Sequence, residues 1–148
     1  MRLWVDGDSC HRRALQILLR AVRGRAVELC IVADRMLPGA AEQGARIVQL
    51  EQGAGAVDDY IVSHACRGDV AVTRDLELAL RLTEQGVRTL SDRGRRWERA
   101  LLKRHLEDRR IVLAMAAGGM KTVRARSYSA SDARALASSL EAVLRPAD

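Results

Sequence analysis

The sequence predicts an α/β protein with three layers, in which helices cover both faces of a mostly parallel sheet of four or five strands. Three observations lead to this fold class. Short apolar runs alternate with helical patterns over residues 1–92, which is typical of repeated β–α units. The run at 27–33 is almost continuously apolar, as in a parallel strand covered on both faces. No linker or internal repeat divides the 148 residues, so we expect one domain.

The elements of the first 92 residues follow from their patterns in order. An apolar run at 2–6 predicts the first strand, and leucines at helical spacing predict a helix at 10–23 that Gly24 closes. A Pro-Gly pair at 38–39 marks a loop. The remaining elements of this core are predicted as strands at 27–33, 46–50, 70–73 and 87–90 and helices at 57–66 and 76–85.

Residues 93–148 have a different character. An arginine-rich helix is predicted at about 95–107, and an apolar stretch follows at 111–117. Residues 119–129 indicate an exposed basic loop, and Ser131 or Asp132 is positioned to cap a last helix that runs to Leu144. The domain therefore consists of an alternating core at 1–92 and a segment of basic helix, loop and C-terminal helix at 93–148.

Carboxylates follow several of the predicted strands. Asp6 and Asp8 follow the first strand, Asp58 and Asp59 open the helix after the third, and Asp75 follows the fourth. Because the carboxyl ends of parallel strands meet at one edge of a sheet, we expect all five side chains to lie close together there. Adjacent carboxylates repel one another, and ligation by oxygen alone favours Mg²⁺ or Mn²⁺ over zinc.

Each of these acids also has a structural explanation. Asp6 is suited to start a turn, and Asp8, Asp58 and Asp75 are suited to cap the helices that follow them. Asp34 also ends a strand, but no second acid accompanies it, and we interpret it as structural. Four such turn and cap positions filled by aspartate, without one serine or threonine, are an unusual coincidence, which favours a shared cation.

The positive charge is concentrated in one segment. The net charge is +6, and residues 93–126 carry eleven basic residues against three acidic ones. This density indicates a polyanionic partner, and we expect a nucleic acid, RNA in the first place. The scarcity of aromatic residues argues against base-stacking platforms, and the alternative explanation of the charge is a solvated helix face. The candidate nucleic-acid contacts are Arg93, Arg95, Arg96, Arg99, Lys121, Arg124 and Arg126.

The cysteines and the apolar runs bound the remaining possibilities. Cys30 and Cys66 are expected to be buried thiols, and Cys10 is not expected to be catalytic although it lies at a helix N-terminus. No apolar run reaches the length of a membrane span and no signal-peptide pattern is present, so we expect a cytoplasmic protein with no membrane partner. A homodimer would widen the groove of a protein this small, and no residue pattern decides the oligomeric state.

Three segments together resemble the bacterial YaiI/YqxD-like family, which is grouped by fold with the PIN-like nucleases. Residues 4–10, WVDGDSC, are similar to its D-A-D-A-C-P-like start, and residues 57–62, VDDYIV, are similar to its A-D-x-x-I-V-like helix opening. Residues 68–79, GDVAVTRDLELA, are similar to its G-D-x-V-I-T-x-D-x-x-L-A-like segment. Order and spacing hold over about residues 2–110. Departures are His11 in place of a proline, a GGMK sequence at 118–121 without the family's proline, and Tyr128 in place of a phenylalanine.

The resemblance implies a PIN-like α/β fold and metal ligation by the aspartates at the strand ends. Our leading hypothesis is a metal-dependent nuclease that hydrolyses RNA with a metal-bound water. The expected catalytic residues are Asp6, Asp8, Asp59 and Asp75. The expected ligands of Mg²⁺ or Mn²⁺ are Asp6, Asp8, Asp58, Asp59 and Asp75. Ser9 and Thr73 are expected to support these acids.

Two other functions are compatible with the sequence. The first is a haloacid-dehalogenase-like phosphatase, because residues 6–9, DGDS, are similar to the nucleophile motif of that class. Such an enzyme also needs a lysine near the nucleophile, and the only lysines, Lys103 and Lys121, lie in the basic segment. The second is a non-catalytic module that binds RNA or a protein partner and whose acids hold a structural ion or none.

Overall fold

A six-stranded sheet forms the centre of the protein, seen here in a computed structural model that describes residues 1–51, 53, 55–117 and 126–146. The strand order is β3-β2-β1-β4-β5-β6; the first five of these are parallel, and β6 runs antiparallel to β5. The strands are β1 (Arg2–Asp6), β2 (Glu28–Ala33), β3 (Arg46–Gln49), β4 (Val70–Val72), β5 (Arg88–Leu90) and β6 (Arg96–Trp97). The helices are α1 (Arg12–Ala21), α2 (Ala56–His64), α3 (Leu76–Glu84), α4 (Arg99–Ala117) and α5 (Ala130–Val143).

Alternation of side chains along the strands divides the core into two layers. In β1, Leu3 and Val5 face α1 and α5, where they pack with buried leucines of both helices. Trp4, between them in the sequence, faces the opposite side and packs against α2 and α3. This period of two is what a strand buried on both faces requires. The predicted three-layer fold class is therefore confirmed.

The direction in which successive strands are added to the sheet changes between β1 and β4. From β1 the chain adds β2 and β3 on one side, and it then returns to place β4 and β5 on the other. Val5 of β1 pairs with Val72 of β4, so these two strands end side by side. A crevice forms at such a reversal because the loops that leave the two strands diverge to opposite faces.

The C-terminal segment differs from the prediction in several details. The helix predicted at about 95–107 begins only at Arg99, because Arg96 and Trp97 form β6, and it continues through 111–117 as one helix, α4, since no glycine or proline separates the two parts. The short antiparallel strand β6 was not predicted, because two residues carry no periodicity. Ser129, rather than Ser131 or Asp132, is the N-cap of α5, and Asp132 completes its capping box. Most of the predicted basic loop at 119–129 lies outside the described residues.

The three cysteines lie in different environments. Cys30 is buried as expected, whereas Cys66 is exposed, because it follows the end of α2 in a turn rather than lying on its buried face. Cys10 is buried, and this burial raises the pKa of its thiol, which opposes a nucleophilic role.

In the part of the chain that the structure describes, no helix is both long and apolar enough to cross a membrane.

Candidate active site at the carboxyl edge of the sheet

An acidic cleft of about 310 Å³ opens where β1 and β4 end. Four loops contribute to it: those that follow β1, β2 and β4, and the approach to α2. No basic side chain is among the described residues that line it. Its carboxylates are Asp6, Asp8, Asp34, Asp58 and Asp75.

Asp6 is the most enclosed of these acids. It is the last residue of β1 and is buried, and the Thr73 hydroxyl donates a hydrogen bond of 3.2 Å to its Oδ2 atom. The backbone N–H of Asp8 donates to Oδ1 at 3.3 Å. Thr73 in turn accepts a hydrogen bond of 3.0 Å from the backbone N–H of Asp75. Asp6 is therefore held in one orientation by groups from both β1 and β4.

Gly7 allows the chain to turn tightly between Asp6 and Asp8. Its N–H donates to the carbonyl of Val32 at 2.8 Å, which brings this backbone close against β2. A Cβ atom at this position would lie 2.9 Å from Ile31 and 3.0 Å from Leu37. A larger residue would have to be accommodated by shifts of these side chains, so the glycine permits the closest approach of this loop to β2.

Asp8 and Asp34 form the side of the cleft next to β2. The backbone N–H of Asp34 donates to Asp8 Oδ2 at 3.0 Å, and the Arg35 guanidinium lies 3.7 Å from Asp8 Oδ1. Burial raises the pKa of Asp8, and the charges of Asp34 and Asp6 add to this effect. Asp34, which was interpreted as structural from the sequence, also lines the cleft. The signal that could have found it was its position at the end of a parallel strand.

Asp58 and Asp75 form the opposite side. Asp75 is the N-cap of α3, where its Oδ1 accepts from the N–H groups of Glu77 and Leu78 at 3.0 and 3.1 Å. Asp58 lies in the first turn of α2 and is partly buried. Its pKa is raised to about 6, first by burial and then by the negative charges of Asp75 and Asp6. The capping role of Asp75 is real, and the residue also lines the cleft.

Asp59 does not join this group. Its side chain is 71% exposed and pairs with Arg81 of α3 at 3.1 Å, on the outer side of α2. Successive residues of a helix point about 100° apart, so Asp58 and Asp59 cannot both face the cleft. The structure therefore brings together four of the five predicted ligands and adds Asp34.

The donor set suits Mg²⁺ or Mn²⁺ in its chemistry, because it consists of carboxylate oxygens whose charges oppose one another. Among residues 1–51, 53, 55–117 and 126–146, no group of three or more His, Cys, Asp or Glu side chains is close enough together to hold an ion as placed. The carboxylates would have to draw closer around a cation. The charges of Asp75 and Asp6 add to burial in raising the pKa of Asp58, and Arg35 partly offsets the charge of Asp8.

Of the two supporting residues, both lie at this edge. Ser9 lines the cleft, and its hydroxyl accepts from the backbone N–H of Arg74 at 3.2 Å and lies 3.4 Å from the Thr73 hydroxyl. The described lysine, Lys103, lies on α4 and does not line the cleft, so a phosphatase reaction at Asp6 lacks its neutralising lysine among the described residues.

The predicted nucleic-acid contacts separate into different environments. Arg93, Arg95 and Arg126 line a second cavity, which they share with Arg74. Arg99 pairs with Glu84 of α3 at 3.3 Å, and Arg96 lies exposed on β6. Lys121 and Arg124 lie outside the described residues. Arg74 was missed at the sequence level because it stands alone between Thr73 and Asp75, away from the basic segment.

The fold and the cleft define a parallel α/β protein with a carboxylate-lined crevice at the reversal point of its sheet. A family model described as "Uncharacterized BCR, YaiI/YqxD family" matches residues 4–146, and the chain belongs to this family. It is 31% identical over 147 residues to a UPF0178 protein of Aliivibrio fischeri, covering 99% of both chains. A UPF0178 protein of Bordetella avium is 32% identical over 144 residues, covering 97% of this chain and 94% of that one. No solved structure shows significant similarity.

Proposed function

We propose that the protein is a metal-dependent phosphodiesterase that hydrolyses RNA at the acidic cleft. The observation that carries the proposal is the convergence of Asp6, Asp8, Asp58 and Asp75 from three separate parts of the sequence into one cleft. The position of this cleft at the reversal point of a parallel sheet supports it, since ligands collect there in open α/β folds. The resemblance to PIN-like nucleases points to the same chemistry.

The excess of negative charge in the cleft is the physical reason for a cation. Clustered carboxylates are stable when they are solvated, protonated or shared with a positive ion. Asp6, Asp8, Asp58 and Asp75 would hold Mg²⁺ or Mn²⁺, with Asp34 close by. A bound ion would supply Lewis acidity toward a phosphoryl oxygen and would lower the pKa of a water molecule.

The chain's own residues prepare the site in defined ways. Thr73 and the Asp8 N–H fix the orientation of the Asp6 carboxylate, so that little reorganisation is needed when a ligand enters. Ser9 ties the loop after β1 to the loop after β4 through the Arg74 N–H. Asp58 must lose its proton to act as a ligand, so activity should rise as the pH passes about 6.

The choice of a nucleic-acid substrate rests on charge. Residues 93–126 carry a strong excess of arginine, and Arg74, Arg93 and Arg95 form a basic wall beside the acidic cleft. Such a wall attracts a phosphate backbone and brings it next to the carboxylates. An RNA substrate would be met in the cytoplasm, where we place the protein.

The test is a cleavage assay on single-stranded RNA with Mn²⁺, Mg²⁺ or EDTA. Asp6→Asn should reduce cleavage at least about a hundredfold, because a neutral amide is a weaker metal ligand than a carboxylate and disturbs the hydrogen bond that Thr73 donates to this side chain. Its circular dichroism and melting profile should stay close to those of the wild type. Asp59→Asn is the matched control: it makes the same chemical change outside the cleft and should retain most activity. Unchanged cleavage in Asp6→Asn would reject this site.

A second candidate is an RNA-binding module without turnover. The observation that favours it is that the carboxylates, as placed, are not close enough to grip an ion within the described residues. In that case a divalent cation would change the affinity for RNA and leave the RNA intact. Gel analysis of the recovered RNA separates the two functions directly.

A further inference from the structure

A cationic cavity of about 610 Å³ lies beside the acidic cleft. Four arginines line it: Arg74, Arg93, Arg95 and Arg126. Trp97 forms part of its wall, and the Trp97 indole nitrogen is buried without a hydrogen-bond partner among the described residues. In the proposed nuclease function, this cavity contributes only positive charge that attracts the phosphate backbone.

Two buried carboxylates hold the arginines of this cavity in place but do not balance all of their positive charge. Asp92 is 1% exposed and accepts from Arg74 Nε at 2.6 Å and from the His11 N–H at 2.9 Å. Asp132 is also buried and accepts from Arg93 at 3.0 Å and from Arg126 at 2.9 and 2.7 Å. Four guanidinium groups facing two carboxylates leave an excess of two positive charges at the cavity.

Several donors at this cavity have no acceptor in the described part of the chain. Arg74 uses only its Nε atom on a side-chain acceptor, and Arg95 uses Nη1 on the His105 ring at 2.9 Å. The Arg95 guanidinium also lies 5.6 Å from the centre of the Trp97 ring, which holds it at the wall. Directed guanidinium donors with an excess charge of two suit a phosphate monoester, which carries about −1.5 to −2 at pH 7, better than a singly charged diester.

Three consecutive residues connect this cavity to the cleft. Thr73 holds Asp6, Arg74 lines the cationic cavity, and Asp75 lines the acidic cleft. Arg74 and Asp75 are consecutive in the chain, so one loop supplies a lining residue to each of the two sites. Ser9 locks this arrangement by accepting from the Arg74 N–H.

We propose that the cationic cavity binds the terminal phosphate monoester of an RNA strand and thereby places an adjacent phosphodiester in the acidic cleft. The inference rests on the proposed function and adds the substrate class: a strand with a phosphorylated end. A cavity of about 610 Å³ is within the range of pockets that enclose small ligands, so it has room for a terminal nucleotide as well as its phosphate.

The test is a binding measurement that needs no catalysis. Fluorescence anisotropy is recorded in EDTA at fixed salt with one short RNA that carries a 5′-phosphate, a 3′-phosphate or hydroxyls at both ends. One of the two phosphorylated strands should bind about tenfold more tightly than the hydroxyl strand, which is the effect of one or two charge-assisted contacts. A methyl ester on the same phosphate should remove the advantage, because it lowers the charge. Inorganic phosphate alone should compete only at much higher concentration if the strand end is the ligand.

Variants locate the effect. Arg95→Gln should reduce the preference for the phosphorylated end to about twofold or less, and it leaves both buried carboxylates with their partners. Arg74→Gln should do the same but also leaves Asp92 without its arginine, so Arg95→Gln is the deciding variant. Arg46→Gln is the matched control, since it removes the same charge at the opposite edge of the sheet, where Arg46 begins β3. It should keep the full preference.

The outcomes separate this inference from the proposed function. Equal affinity for all three strands overturns the inference, even if the wild type cleaves RNA with Mn²⁺. A preference that Arg95→Gln does not diminish also overturns it, because the phosphate is then bound elsewhere. A preference that Arg95→Gln abolishes and Asp6→Asn retains supports it, and the cleavage assay then decides the proposed function by itself.

Discussion

Replacing Asp58 by asparagine should stabilise the protein at neutral and alkaline pH. The folded state raises the pKa of Asp58 from 3.8 to about 6 through burial and the charges of Asp75 and Asp6. Between these two values the folded protein holds a proton that the unfolded chain has released, so stability falls as the pH rises through this range. Above pH 6 the ionised Asp58 is therefore a destabilising group.

The size of the effect follows from the same shift. Each pKa unit corresponds to about 1.4 kcal/mol, which sets an upper bound of about 3 kcal/mol for this carboxyl. Asp58 is partly exposed, and solvent screening reduces this to about 1–2 kcal/mol. The substitution also removes a negative charge from the first turn of α2, which costs about 0.3–1 kcal/mol. The net gain for Asp58→Asn should be about 1 kcal/mol at pH 8.

Thermal melts between pH 4.5 and 8.5 measure this gain. At pH 8 Asp58→Asn should melt about 2–4 °C above the wild type, and the difference should vanish as the pH falls below 6. Mn²⁺ should raise the melting temperature of the wild type more than that of the variant, because a ligand of the native state stabilises it by linkage. Asp59→Asn should show neither effect, since it breaks an exposed pair with Arg81 and removes a first-turn charge of α2, a small loss that does not involve the cleft. A lower melting temperature for Asp58→Asn at pH 8, or a difference independent of pH, would refute the reasoning.

Three further substitutions test the supports of the two sites. Gly7→Ala should destabilise the protein by about 1–3 kcal/mol in urea unfolding, because its Cβ meets Ile31 at 2.9 Å; an unchanged midpoint would show that the chain relaxes freely there. Thr73→Val keeps the shape but leaves Asp6 Oδ2 without its donor, so it should cost about 1–3 kcal/mol, with Thr73→Ser as the conservative control. Asp132 has its pKa held well below the usual range by Arg126 and the Ser129 N–H, so its stabilisation is present above about pH 4 and lost in more acid solution. Asp132→Asn should therefore lower the melting temperature at pH 7, and this deficit should shrink on acidification.

The cleft could be predicted because one rule of the fold governs it. Parallel strands align their carboxyl ends, so Asp6 and Asp75 had to lie at the same edge of the sheet whatever the order of the strands. The strand order itself, with β1 beside β4, was not readable from the sequence, yet it determines that these two acids flank the crevice at its centre. The layered core was predictable for a similar reason, because apolar periodicity depends only on local geometry.

Which of the two adjacent residues Asp58 and Asp59 faces the cleft could not be predicted in the same way. Asp58 and Asp59 are equivalent in composition, and the rotation of α2 about its axis decides between them. That rotation is set by Val57 and Ile61, which are buried against the sheet. Asp34 was set aside because it lacked a second acid nearby in the sequence, but its partner, Asp8, comes from another loop. Charge clusters formed between loops leave no local signal.

The arginines show the same limit from the opposite side. The sequence indicated a basic segment, but it did not indicate which arginines would pair with buried acids. Asp92 and Asp132 engage three of the four arginines at the cationic cavity. These acids do not weaken the site, since they fix the guanidinium groups in place while leaving an excess of two charges. Arg74 belongs to neither sequence cluster, yet it lies between Thr73, which orients Asp6, and Asp75. A single tripeptide after β4 therefore contributes to both the acidic cleft and the cationic cavity.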